Sequence, residues 1–157
     1  MGNSNFTKKA FTNDILVKVV KVHKDAKLPK KALPNDVGYD IFSDEELVIK
    51  AGERKIVGTG IKLALPQGVE GQIRPKSGLA ISKGITVLNS PGTIDPNYRG
   101  EVKVILINLS NADVKIEKGQ KIAQIVFSRF ESPKIVKAKR LGKTERNEKG
   151  FGSTGLK

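Results

Sequence analysis

The chain contains no cysteine and a single histidine, His23. Without cysteine it forms no disulfide and no thiolate metal site, and one histidine is too few for a histidine-rich zinc site. Any metal is therefore expected to be held by oxygen, and this favours Mg²⁺ carried largely by substrate phosphates. His23 lies in the first predicted strand, where we expect a partly exposed structural residue.

Long apolar runs and aromatic side chains are also scarce. The chain has no apolar run of about eighteen residues, which predicts no transmembrane helix, and no apolar signal-peptide core near its start. We therefore expect an intracellular, cytoplasmic protein without a membrane partner. With 38% hydrophobic and 5% aromatic residues in 157, the chain predicts one domain whose apolar surface would gain from association between subunits.

Positive charge is present in large excess, with a formal net charge of +13. Lysine-rich surfaces often serve only solubility, so the charge alone assigns no partner. The functional interpretation is a polyanionic ligand, either a nucleic acid or a nucleoside triphosphate. Because the chain shows no helix-turn-helix pattern and no aromatic RNA-binding signature, we favour the nucleotide and expect no specific nucleic-acid partner.

Short segments with strand-like patterns are separated by turn-forming residues along most of the chain. These segments are 15–22, 47–50, 55–65, 69–74, 85–88, 101–108 and 121–130. One short helix is predicted at 76–83, ending at Gly84. Many short strands separated by turns predict an all-β sandwich or barrel. We expect a loose N-terminus over 1–13, the all-β domain over 14–140, and a glycine-rich arm over 141–157.

The arm has two interpretations. Its composition alone favours a disordered basic tail. Its glycine-rich end, however, carries two hydroxyls, Ser153 and Thr154, and such loops wrap phosphate with backbone N–H groups. Together with the motifs below, this favours an arm that orders over a bound substrate.

The stretch 89–108 carries the most specific signal in the chain. Turn formers fill its first half, and an alternating strand, 101–108, fills its second half. This predicts a tight hairpin whose tip exposes backbone N–H and C=O groups that can read the edge of a flat heterocycle. Asp95, a potential base, and Tyr98, a flat ring, lie beside that tip.

Residues 92–100 read Gly-Thr-Ile-Asp-Pro-Asn-Tyr-Arg-Gly and resemble the uracil-binding hairpin of the trimeric dUTPases. Four further segments resemble motifs of that family in the same order, at 36–40, 74–80, 119–125 and 146–155. Five ordered motifs are a far more specific signal than one. The resemblance implies a distorted, barrel-like jelly roll with one short helix and a flexible C-terminal arm that closes over substrate.

The same resemblance implies an activity and an assembly. The activity is a magnesium-dependent dUTP diphosphatase that gives dUMP and pyrophosphate, keeps uracil out of DNA and supplies dUMP for dTMP synthesis. The assembly is a homotrimer with three sites between subunits. The motifs around Asp40, Ser77 and Gln124 would come from one chain, the hairpin from a second, and the arm from the third.

The resemblance also assigns roles to individual residues. Asp95 orients the water that attacks the α-phosphorus, although an aspartate before proline more often only caps its own turn. Tyr98 packs under the deoxyribose and excludes a 2′-hydroxyl, and Asp40 holds Mg²⁺ through a water. Lys76 stands where the family usually has arginine, so the planar fork is lost and nearby Arg74 is a candidate to share its task.

The remaining candidate residues are expected to contact the substrate directly. The resemblance implies that Asn89 hydrogen-bonds uracil and that Phe151 stacks over it. Ser77, Gly78 and Gln124 are expected to bind phosphate, and Arg146, Ser153 and Thr154 to meet the γ-phosphate. The full set comprises Ser77, Gly78, Asn89, Gly92, Thr93, Ile94, Gln124, Arg146, Phe151, Gly152, Ser153 and Thr154. In the arm, Asn147 and Lys149 replace glycines that are frequent in the family.

Other functions remain open at this point. A dCTP deaminase-like enzyme shares the fold, but no residue is assigned to activate water at the pyrimidine C4. A nucleotide-binding regulator acting through a protein partner is a second alternative, although the chain shows no inserted regulatory segment. A nucleic-acid-binding module is supported by charge alone.

Overall fold

The computed structural model describes residues 15–150. Over this range the chain forms ten strands and one short helix. The strands are β1 (Lys18–Lys21), β2 (Tyr39–Phe42), β3 (Leu47–Ile49), β4 (Arg54–Ala64), β5 (Val69–Arg74), β6 (Ile85–Val87), β7 (Gly92–Ile94), β8 (Glu101–Asn108), β9 (Val114–Ile116) and β10 (Lys121–Arg129), and the helix is α1 (Ser77–Lys83). The expected loose N-terminus, 1–13, lies outside the described residues.

The strands form three antiparallel sheets. One has the order β1-β4-β8-β6, the second β2-β10-β5-β7, and the third pairs β3 with β9. This architecture confirms the predicted all-β, jelly-roll-like class with one short helix. The helix that we find is too short and too polar to cross a membrane, and residues 15–150 offer no other candidate for a span.

One apolar cluster joins the three sheets. Alternation along β8 buries Val102, Val104 and Leu106, while Lys103 between them is exposed. These side chains meet apolar residues of the other two sheets, Ile125 among them. Full burial of each such side chain stabilises the fold by about 1.5–3 kcal/mol. The core therefore fixes which face of every strand points outward, and with it the placement of the polar candidates.

The helix follows its prediction closely. It begins at Ser77, one residue after the predicted start, and ends at Gly84, which adopts φ of 63°. Glycine reaches this left-handed conformation without the steric cost that other residues meet there. Gly84 N donates to Ala80 O at 3.1 Å, which closes the last turn.

The predicted hairpin at 89–108 is wrong in its pairing. β7 pairs with β5 in one sheet, while β8 pairs with β4 and β6 in another. β4 pairs along one edge of β8 and β6 along the Leu106–Asn108 part of the other, while β7 lies at the edge of the second sheet. The stretch therefore connects two sheets, and Asp95 and Tyr98 lie in the connection.

Two further differences concern short elements. The strands β2, β7 and β9 were not predicted; each has only three or four residues, and unlike the equally short β3 and β6 none of them was recognised as a strand-like segment. His23 lies in a bend just after β1 rather than in the strand, and its Nε2 contacts Asp44 Oδ2.

Asn108 ties the end of β8 to its surroundings. The side chain is fully buried, and its Nδ2 donates to Ile49 O at 2.9 Å and to Ala112 O at 2.8 Å. Its Oδ1 accepts from Ser110 N at 2.9 Å. Ser110 Oγ also donates to Asn108 Oδ1 at 2.7 Å and to Ala112 O at 3.0 Å, so Asn108 is the centre of a small hydrogen-bond network.

Asn108→Ala is therefore expected to lower the free energy of unfolding by about 1–3 kcal/mol, because the carbonyl of buried Ile49 loses its side-chain donor. Denaturant titration followed by circular dichroism measures this, with the exposed Asn111→Ala as control. Equal stability of the two variants would contradict a structural role for the Asn108 side chain.

Candidate active site

Three of the sequence motifs meet in one row across the second sheet. Asp40 on β2 is opposite Gln124 on β10, and Gln124 is opposite Arg74 on β5. Directly opposed residues in antiparallel strands point to the same face of a sheet. Gln124 Nε2 donates to Pro75 O at 3.0 Å, and a Cβ on Gly38 would lie 2.1 Å from Gln124 Oε1. Glycine at position 38 is thus what leaves room for this side chain.

Asp40 is the most buried charge of the row. Only 4% of the residue is exposed, and two lysines reach it: Lys76 Nζ lies 2.5 Å from Oδ1 and Lys121 Nζ 2.6 Å from Oδ2. Burial alone would raise the pKa of Asp40, but the hydrogen bonds and charges of Lys121 and Lys76 outweigh it and hold that pKa below its usual value. Asp40 is therefore ionised at neutral pH.

This pairing makes a pH dependence testable. The lowered pKa of Asp40 contributes stability that is fully present above its unfolded-state value, about 3.9, and is lost as pH falls through the folded-state value. The difference in unfolding free energy between wild type and Asp40→Asn is expected to be largest near neutral pH and to shrink below about pH 4. Denaturation over a pH series, with the exposed Asp25→Asn as control, measures it. A difference that stays constant with pH would contradict the ion-pair account.

Lys121 was missed as a site residue by the sequence reasoning. Its only sequence signal is its place in segment 119–125, beside Gln124, because nothing local shows that β2 lies next to it. Arg74 Nε and Nη2 donate to Gln72 Oε1 at 3.2 and 2.6 Å, and a share of Arg74 in the task of Lys76 stays a prediction. Lys76 keeps the charge that the family resemblance assigns to an arginine.

The start of helix α1 lies beside this group. Lys76 immediately precedes the helix, and Ser77 and Gly78 form its first exposed residues. A Cβ on Gly78 would meet no atom within 4 Å, so the space in front of it is open. The first N–H groups of a helix have no partner within it. These groups are available to a ligand that Lys76 attracts.

Asp95 and Tyr98 occupy the connection after β7. Asp95 is exposed, and its carbonyl accepts from Tyr98 N at 3.1 Å. The Tyr98 ring is 44% exposed, and its hydroxyl donates to Glu101 O at 2.9 Å. A Cβ on Gly100 would lie 2.3 Å from that hydroxyl, so the ring can lie across position 100 only because it is glycine.

The other candidates of this stretch flank β7. Asn89 and Thr93 are exposed, Gly92 is buried, and Ile94 is half-buried. A Cβ on Gly92 would lie 3.3 Å from Asn89 Nδ2, which is tighter than ordinary packing. The side chain of Asn89 thus folds back over Gly92, beside the edge strand of the sheet.

The structure keeps the two groups of candidates apart within one chain. The Asp40 group lies at the Arg74 end of β5, whereas Ile94, the residue before Asp95, pairs with Gly71 nearer its other end. Arg74 lies three residues beyond Gly71 along β5, a distance of about 10 Å. Asp40, Lys76 and Gln124 are brought together, and Asp95 and Tyr98 are not placed with them.

The arm is described only in part. Arg146 Nε donates to Lys149 O at 2.9 Å, within its own turn. Asn147 has φ of 45°, a conformation that asparagine tolerates better than most residues, and it exchanges hydrogen bonds with Thr144. Asparagine therefore fits this turn without the usual glycine. The candidates Phe151, Gly152, Ser153 and Thr154 lie outside the described residues.

A metal fits this site only in an outer position. Within residues 15–150 no group of three or more histidine, cysteine, aspartate or glutamate side chains could hold an ion. Asp40 stands alone, and each of its oxygens already accepts from a lysine. A carboxylate oxygen has a second lone pair, which suits a metal-bound water rather than the metal itself.

Comparisons with known proteins cover all five motif segments. The dUTPase family model matches residues 24–155. A deoxyuridine 5′-triphosphate nucleotidohydrolase of Hydrogenobaculum sp. is 55% identical over 140 residues, 88% of this chain and 97% of that protein. One of Clostridium kluyveri is 54% identical over 142 residues, 90% of this chain and 98% of that protein. A solved mutant dUTPase of Staphylococcus bacteriophage 80alpha with dUpNHpp has a TM-score of 0.84 at 25% identity, covering 90% of this chain and 99% of that one.

Proposed function

This chain belongs to the dUTPase family, and on that premise we propose that it hydrolyses dUTP to dUMP and pyrophosphate, with Asp95 directing water at the α-phosphorus. One observation carries the chemistry. The Asp95 carboxylate is exposed in the same turn as the Tyr98 ring, which lies across Gly100. A base and a flat sugar-binding surface are thus held in a single turn.

Hydrolysis of a phosphoanhydride needs a water aimed at phosphorus and a group that takes its proton. Asp95 provides an acceptor for that proton. The pyrophosphate group leaves as the water oxygen bonds to the α-phosphorus. Tyr98 is held by its bond to Glu101 O, so its ring presents a fixed face to C2′ of the sugar. A ring at that position leaves no room for a 2′-hydroxyl.

The phosphates would bind where the row of motif residues meets helix α1. Lys76 and Lys121 supply charge, and Gln124 and the first N–H groups of the helix supply directed donors. Lysine provides a point charge without the bidentate geometry of arginine. Orientation of the phosphates then depends more on Gln124 and the helix than it would with arginine at position 76.

Magnesium, when bound with the phosphates, would offset their charge, and Asp40 would hold it through a water. Lys76 and Lys121 would then have two tasks, because each must contact both Asp40 and the phosphates. The reaction would keep uracil out of DNA and supply dUMP for dTMP synthesis. The cytoplasmic location stays a prediction.

We further infer a homotrimer with shared sites, on two grounds. The strand register sets Ile94, the residue before Asp95, about 10 Å along β5 from the row that contains Asp40, so the two groups are set apart within one chain. In addition, apolar side chains beyond β10 lie uncovered: Ile135 is 93% and Leu141 89% exposed. Burial of these side chains against a second subunit would remove their apolar surface from water. A second subunit would supply both the cover and the missing half of the site.

Pyrophosphate release from dUTP, dTTP, UTP and dCTP, with Mg²⁺ and with chelator, tests the proposed activity. We expect dUTP with Mg²⁺ to be strongly preferred, because Tyr98 excludes a 2′-hydroxyl and a narrow uracil site excludes the thymine methyl. Ammonia release from dCTP in the same samples would instead indicate a deaminase. Comparable turnover of UTP and dUTP would remove the role assigned to Tyr98.

A further inference from the structure

A pocket of about 460 Å³ opens beside Asp40. Its lining comprises Lys27, Lys30, Lys31, Ala32, Asp40, Phe42 and Lys121. It lies at β2, an edge strand that β10 separates from β5 and the helix that follows. Asp40 therefore stands between the proposed phosphate site at the start of α1 and this second concavity. We call the concavity the lysine pocket.

Positive charge in the lysine pocket is not balanced by the protein. Four lysines face one carboxylate, and that carboxylate also serves Lys76 from outside the lining. Among residues 15–150, no carboxylate forms a salt bridge with Lys27, Lys30 or Lys31. Like charges that converge on a concavity repel one another unless an anion enters.

The lysines are nevertheless held in place. Lys27 Nζ donates to Gly119 O at 2.9 Å and lies 5.3 Å from the centre of the Phe42 ring. Lys31 Nζ lies 5.0 Å from the centre of the Tyr39 ring, which is not part of the lining, so Lys31 stands at the rim of the pocket. These cation–π contacts orient the ammonium groups at little cost. Because the charges are already positioned, an anion that enters loses less free energy in ordering them.

We propose that the lysine pocket binds inorganic pyrophosphate next to the substrate's own phosphates, with Asp40 and Lys121 on the boundary between the two places. The proposal rests on the proposed function, since pyrophosphate is the leaving group of that reaction. A compact polyanion matches both the excess positive charge of the lining and its concave shape. Pyrophosphate leaving the α1 side would pass Asp40 and be retained by the lysines.

A polynucleotide fits the lysine pocket less well. Single strands bind along extended positive grooves in which aromatic rings stack on the bases. Here the lysines line one compact concavity, and the ammonium groups of Lys27 and Lys31 lie over the rings of Phe42 and Tyr39. Those rings are thus not free to stack on a base.

Calorimetric titration of pyrophosphate into the full chain, with chelator present, tests the proposal. Lys27→Met and Lys31→Met are each expected to weaken binding about three- to tenfold, the range of a partly exposed charged contact. Lys62→Met, an exposed lysine on β4 in another sheet, removes the same charge and should leave binding unchanged. Equal weakening by Lys62→Met would show general charge attraction and overturn the pocket.

Two further experiments identify the ligand and the place where it binds. In protein saturated with a non-hydrolysable dUTP analogue, pyrophosphate should still bind, whereas its complete displacement would overturn a site next to the substrate's own phosphates. The choice of ligand would be overturned if a single-stranded oligonucleotide bound more tightly than pyrophosphate and lost affinity in Lys31→Met. dUTP hydrolysis is measured in every sample. If Lys27→Met and Lys31→Met bind pyrophosphate as wild type does and hydrolysis is normal, only the proposed pyrophosphate site is overturned. If wild type does not hydrolyse dUTP, the proposed reaction is overturned.

Discussion

Replacing Asp95 with asparagine is expected to lower kcat for dUTP by about 10²–10⁴-fold, the usual cost of losing a general base. Asparagine keeps the shape of the side chain but cannot accept the proton of the attacking water. The side chain is exposed, and the turn is held through the Asp95 carbonyl rather than its carboxylate. The fold and the affinity for a non-hydrolysable dUTP analogue should therefore remain close to those of wild type.

Single-turnover kinetics and analogue binding, measured on the same preparation, separate these effects. Asp25→Asn is the matched control, because it makes the same chemical change at an exposed position outside the site. A large loss of kcat with unchanged affinity supports a role in the chemical step. A rate for Asp95→Asn equal to that of Asp25→Asn would take Asp95 out of the mechanism.

Local sequence patterns predicted the long elements of the fold well. β5 matches its predicted range, and β4, β8 and β10 are found within a residue or so, because each is long enough to show burial on one face. The helix end at Gly84 follows from the conformational freedom of glycine. The short strands β2, β7 and β9 carry no such signal, and their positions depend on the neighbours with which they pair.

Local sequence patterns also could not predict which strands pair at the site. Asp40 and Gln124 are far apart in the chain, and only the register of β2 with β10 makes them neighbours. The same register brings Lys121 to Asp40, a contact without a local pattern. The hairpin was predicted wrongly for the related reason that turn formers between two strands do not reveal whether those strands share a sheet.

The second large effect concerns the arm. Deletion of the chain after Leu141 is expected to leave the fold intact, because residues 142–149 are exposed and their hydrogen bonds stay within their own turn. Activity should fall by about 10²-fold or more, since substrate-positioning contacts from Arg146 and Phe151 are lost. Circular dichroism, mass measurement and dUTP turnover test both halves of this prediction. Full activity of the truncated chain would exclude the arm from catalysis.

The central claim is that one site draws on more than one chain. It is tested most directly by unfolding truncated chains together with full-length Asp95→Asn chains and refolding the mixture. Neither parent alone has a complete site. If the arm of one chain closes over the Asp95 turn of another, every mixed trimer contains about one working site in three, by symmetry.

Mass measurement first confirms that mixed trimers have formed, and dUTP hydrolysis is then assayed in them. The shared-site account predicts that activity returns in the mixture although both parents are inactive. If arm and Asp95 served the same site from a single chain, every site would lack one or the other. Confirmed mixed trimers that hydrolyse no dUTP would therefore contradict the shared site.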